Sequence, residues 1–75
     1  MMALSEASRG EQVRVVEISG DDSLSIRLME MGLTPGAMMV LVGSAPLGDP
    51  LEFEIRGYRL SLRLSEAARV SVERV

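Results

Sequence analysis

Arg27-Leu28-Met29-Glu30-Met31-Gly32-Leu33-Thr34-Pro35-Gly36 is the stretch that decides the architecture, because it contains the end of a helix and the reversal after it. Leu24, Leu28 and Met31 fall on one side at helical spacing, while Ser23, Arg27 and Glu30 fall on the other and should meet water. Gly32 ends the helix in a left-handed conformation, which places Leu33 to pack back on Leu28 as in a Schellman cap. Thr34-Pro35-Gly36-Ala37 continues as a type II turn, since proline fixes the first φ and glycine supplies the positive φ that follows. Upstream, Gly20-Asp21-Asp22-Ser23 offers several N-cap acceptors for the start of the same helix.

Strand patterns surround this segment. Gln12 to Ile18 carries Val13, Val15, Val16 and Ile18, an alternation that slips by one position between Val15 and Val16 and predicts a bulge. Ala37 to Val42 is apolar at nearly every position, so either both faces are covered or one is left sticky. Ala45-Pro46-Leu47-Gly48-Asp49-Pro50 is a loop by composition. Leu51, Phe53 and Ile55, then Leu60, Leu62 and Leu64, alternate with polar residues as a hairpin. With Gly57-Tyr58 as a type II′ turn, Ile55 faces Leu60, Phe53 faces Leu62, Leu51 faces Leu64 and Glu52 faces Arg63. The same register sets Arg56 against Arg59, an unfavourable pair. Arg69 to Val75 supplies a last strand. Leu4-Ser5-Glu6-Ala7 and Leu64-Ser65-Glu66-Ala67 are identical words, read as recurrent capped turns.

A chain of 75 residues has room for one domain, expected over residues 1–75, with a thin aliphatic core. One short helix after the first strand, among about five short strands, predicts a mostly β fold, a small partly open barrel. Cysteine and histidine are both absent, which removes thiolate metal sites, disulfides and the commonest general base. The net charge of −3 disfavours nucleic acid as a partner. No apolar run reaches the length of about 20 residues that spans a bilayer, and no signal peptide is evident, so the expected compartment is the cytoplasm.

The words Arg27-Leu28, Met31-Gly32-Leu33, Pro35-Gly36, Ala45-Pro46-Leu47-Gly48-Asp49-Pro50, Gly57, Leu62-Arg63 and Glu66-Ala67, in this order, resemble the FeoA family. The resemblance implies an SH3-like barrel and a non-enzymatic cytosolic accessory of ferrous-iron transport. Its implied partner is the cytosolic part of a membrane protein that joins a GTPase domain to a permease. The barrel is also similar to the C-terminal domain of metal-dependent repressors. Two alternatives follow: a free-standing regulatory barrel that contacts a soluble partner such as a repressor, and a weak transition-metal binder.

Leu28, Gly32, Leu33, Pro35, Gly36, Gly48, Asp49, Pro50 and Gly57 are explained by packing, caps and turns. The candidate partner-binding residues are Arg27 and Glu30 on the helix, Met39 and Leu41 on the apolar strand, and Arg56, Tyr58 and Arg59 near the hairpin tip. An outward Met39 and Leu41 would also support weak self-association. Six methionines suit core filling better than a thioether metal site. The carboxylates Asp21, Asp22, Asp49, Glu52 and Glu54 are read as caps or solvated strand residues, and neither a metal ligand set nor a cofactor is expected.

Overall fold

The valine-rich segment Gln12–Ile18 forms the central strand of the sheet, β2, in a computed structural model that describes residues 1–75. Around it lie β1 (Met2–Ala3), β3 (Met38–Ser44), β4 (Leu51–Ile55), β5 (Tyr58–Leu62) and β6 (Val70–Arg74). These make one antiparallel sheet in the order β1-β6-β2-β3-β4-β5. A single 3₁₀ turn (Leu4–Glu6) follows β1, helix α1 (Ser23–Glu30) joins β2 to β3, and the short helix α2 (Leu64–Ala67) joins β5 to β6. The architecture is therefore mostly β and partly open, as the residue pattern predicts. The sixth strand is the Met2–Ala3 pair against Val72 and Ser71, too short for periodicity to reveal.

Two bulges let the sheet curl around its core. The pairing of β2 with β6 slips between Val15 and Glu17, at the place where the valine alternation breaks, so Val13 and Val15 are buried and Ile18 still packs on the core. A second slip in the pairing of β3 with β4, between Leu41 and Gly43, makes Val42 the extra residue. The interior is a cluster of 15 buried apolar residues, with Phe53, Leu4, Leu28, Leu33 and Met39 among its largest fully buried side chains. Burying one such side chain fully contributes about 1.5–3 kcal/mol, so a core this small depends on every member.

Two sequence expectations are corrected here. Met39 has no exposed surface and Leu41 retains 7%, because Val13 and Phe53, their partners across the sheet, also point inward. Neither offers a sticky outer face. The hairpin turn is Arg56-Gly57, not Gly57-Tyr58, with φ of 51° and 84°, the positive pair that a type I′ turn requires. Ile55 therefore faces Tyr58, Phe53 faces Leu60 and Leu51 faces Leu62, while Glu52 faces Ser61 and Glu54 faces Arg59. Leu64 starts α2 and is exposed, and the Arg56/Arg59 clash does not arise.

Candidate functional site: the helix and hairpin-tip surface

Asp22 caps α1, its Oδ1 accepting from the Ser25 N–H at 3.3 Å, while the buried Ser25 hydroxyl donates to the Asp22 carbonyl at 2.8 Å. The same carboxylate receives both terminal nitrogens of Arg69, at 3.1 and 2.7 Å, and Arg69 Nη2 also donates to the Ser19 carbonyl at 2.8 Å. Arg69 thereby ties the start of α1 to the end of β2 in a planar bidentate pair. At the other end, the Gly32 N–H donates to the Met29 carbonyl at 3.0 Å and the Leu33 N–H to the Leu28 carbonyl at 3.1 Å, the two bonds of a Schellman cap. Gly32 has φ of 107° and Gly36 of 92°. The Thr34–Ala37 turn closes with a 2.9 Å bond from the Ala37 N–H to the Thr34 carbonyl. Gly36 N–H to Val15 carbonyl, at 2.8 Å, then pins the turn to the central strand.

The hairpin tip fastens onto this turn. Tyr58 donates its hydroxyl to the Met31 carbonyl, and Arg56 Nη2 donates to Thr34 Oγ1 at 3.3 Å. Tyr58 lies so close over Gly32 that a Cβ there would come within 2.5 Å of the phenol oxygen. Of the tip candidates, Arg56 and Tyr58 thus join the helix end. Arg59 does not, since it lies on β5 opposite Glu54. Arg27 and Glu30 are exposed on α1, and neither is in an ion pair.

Ile26 and Met29 are further members of this surface, 51% and 44% exposed, that the sequence reading passes over. At about 100° per residue, they lie roughly 200° and 140° from Leu24, opposite the buried stripe. That arithmetic could have found them. The resulting face, with Ile26 and Met29 side by side and Glu30 and then Arg27 along one edge, is held rigid from both ends. An apolar pair bordered on one side by unpaired charges suits protein contact. No group of three or more carboxylates converges into a metal-ligating cluster anywhere in the chain. No helix is long and apolar enough to cross a membrane.

The Asp22 carboxyl is held below the usual carboxylate range, first by the Arg69 guanidinium and then by the Ser25 N–H. Glu11 is lowered likewise, first by the Ser8 N–H and then by Arg74. Because the folded values lie below the unfolded ones, these groups stabilise the fold fully above the unfolded carboxylate pKa of about 4 and stop doing so as pH falls through the folded values. Thermal melts should therefore show a midpoint that is flat from about pH 7 to 5 and declines below about pH 4. Arg69→Met should lower the plateau and weaken the acid dependence. Parallel acid limbs in the two proteins would contradict the linkage.

A family model described as the FeoA domain matches residues 2–74. A curated relative from Porphyromonas gingivalis, described as an Fe(2+) transport protein A/Fe(2+) transporter FeoB fusion protein, is 39% identical over 72 residues. That match takes in 96% of this chain but only 8% of the relative, so the chain corresponds to a small part of that protein. Among solved structures, the FeoA-like protein of Clostridium acetobutylicum superposes with a TM-score of 0.91 at 36% identity, covering 99% of this chain and 86% of that one. FeoA of Stenotrophomonas maltophilia, solved as a zinc complex and described as a procaryotic SH3 domain protein, gives 0.84 at 32% identity over 97% and 91% of the two chains.

Proposed function

The chain belongs to the FeoA family, and on that footing we propose that it is a non-catalytic docking module for the cytosolic part of a ferrous-iron transporter. The observation that carries this reading is the natural fusion of the matching domain to a transporter in the Porphyromonas gingivalis relative. A tether of that kind keeps two domains at an effective concentration on the order of millimolar, which suits a modest interface. Some surface of the domain still has to supply the affinity. The rigid face of Ile26, Arg27, Met29 and Glu30 is the surface best suited to do so, with two exposed apolar anchors and the charges along one edge. A chain without cysteine or histidine is better suited to binding than to chemistry.

Calorimetric titration of the full 75-residue chain with the cytosolic domain of the ferrous-iron transporter from the same organism tests the proposal. It should be run without nucleotide, with GDP and with a non-hydrolysable GTP analogue. Association with a dissociation constant of about 1–100 μM in at least one state is the expected result. Silence in all three would remove the docking model.

A further inference from the structure

Strand β5 is hydrogen-bonded on one side only, since it pairs with β4 and ends the sheet. Around a two-residue turn the flanking residues exchange both backbone bonds, so Ile55–Tyr58, Phe53–Leu60 and Leu51–Leu62 are the bonded pairs of this ladder. The N–H and C=O groups of Arg59 and Ser61 therefore point away from β4, and no other group of the chain takes them up. Just past the strand the donors are satisfied again, the Arg63 N–H by Glu66 at 2.8 Å and the Leu64 N–H by Asp49 at 3.1 Å.

Sheet edges are ordinarily protected by shortness, proline, a bulge or a covering element. The opposite edge, β1, is two residues long. By contrast β5 runs for five residues without proline, glycine or a bulge, and its one charge, Arg59, is answered by Glu54 opposite. Leu60 carries a second sign. It points inward like Leu62, yet Leu62 is 1% exposed while Leu60 stays half-buried at the rim of the core, with no strand beside it.

We propose that a second copy of this chain adds its own β5 to this edge, antiparallel about a two-fold axis at Leu60. Arg59 then exchanges backbone bonds with Ser61 of the second copy, Leu60 meets Leu60, and Tyr58 meets Leu62. Charge selects this register. The neighbouring registers that also satisfy the outward groups set Arg59 directly against Arg59 or Arg63 of the second copy, which is destabilising, whereas here the two Arg59 side chains are only diagonal neighbours. On the outer face Arg9 and Arg59 balance Glu52 and Glu54 in each copy, so chains of net charge −3 meet over locally neutral ground. Arg59 comes to lie between its own Glu54 and, across the short Ser61 of the second copy, that copy's Glu52. A pairing of one short strand is a small interface, so the expected dissociation constant is about 0.1–1 mM. No residue of β5 belongs to α1, and the inference does not depend on the transporter reading above.

Dilution of the isotope-labelled full chain from about 2 mM to 0.05 mM, followed by NMR, tests the proposal, with the Arg59 and Ser61 amides expected to shift most. Ser61→Pro should abolish the concentration dependence. It removes an N–H that makes no bond within the chain, so the fold should persist, which a thermal melt checks. Because the chain has no cysteine, single-cysteine variants read the register directly. Only Leu60 is opposite itself, so Leu60→Cys should cross-link under mild oxidation about tenfold faster than Arg59→Cys or Ser61→Cys. Shifts centred away from β5, their absence up to 2 mM, an undiminished effect in Ser61→Pro, or fastest cross-linking at position 59 or 61 would each overturn the assignment.

Discussion

Gly32→Ala is expected to lower the stability of the fold by about 2–4 kcal/mol, a drop of roughly 10–25 °C in Tm for a domain of this size. Two costs combine. At a φ of 107° an L-residue is strained by about 1–2 kcal/mol or more. The new methyl would also meet the Tyr58 oxygen at 2.5 Å, so the phenol must move and its bond to the Met31 carbonyl is lost. A domain of 75 residues has roughly 4–11 kcal/mol to lose. Tyr58→Leu separates the two terms. In the double variant the contact penalty disappears while the backbone strain persists, so the two losses should fall short of additive by about 1 kcal/mol. Full additivity in a denaturant-unfolding cycle would show that Tyr58 is not what makes the position demand glycine.

Ile26→Asp combined with Met29→Asp is expected to weaken binding to the transporter's cytosolic domain by about 30-fold or more, a loss of roughly 2 kcal/mol. Unfolding should be nearly unaffected. Both side chains face water in the free protein, so placing a carboxylate there buries no charge and opens no cavity. Calorimetry on the variant, next to a thermal melt, separates the two properties. Unchanged affinity would move the docking surface away from α1 without touching the family assignment. Arg27→Glu, at the rim, should act mainly on the association rate and its salt dependence.

Local chemistry was readable from the residues wherever one backbone conformation forces one residue type. Gly32 with Leu33, Pro35 with Gly36, the acidic N-cap and the slip at Val16 all mark sites where φ, a cap or an alternation leaves little choice. Register was not readable in the same way. A two-residue shift of β5 against β4 preserves which side chains point inward, so Phe53 meets a leucine in either register and apolar pattern cannot decide. The like-charge pairing of Arg56 with Arg59 was the available warning, and the observed register replaces it with Glu54 opposite Arg59. Met39 and Leu41 were ambiguous because Met38, Val40 and Val42 are apolar too and only half-buried, which erases the alternation. The Leu-Ser-Glu-Ala words gave the right turn chemistry twice, Glu6 receiving the Ala3 N–H at 3.0 Å and Glu66 the Arg63 N–H at 2.8 Å. Their burial differs all the same, Leu4 having no exposed surface and Leu64 39%. Arg69 had no local signal, because its partner Asp22 lies 47 positions away.

The pairing of β1 with β6 has a consequence for how such a domain can be used. Met2 lies opposite Val72 at one margin of the sheet, so the two ends of the described chain sit side by side. A unit whose ends emerge together can be spliced into a loop of a host polypeptide, or appended at either side of it, without stretching the host or unravelling the insert. Modularity of this kind suits the barrel to being carried as a segment of a far larger protein, as its counterpart is in the Porphyromonas gingivalis relative.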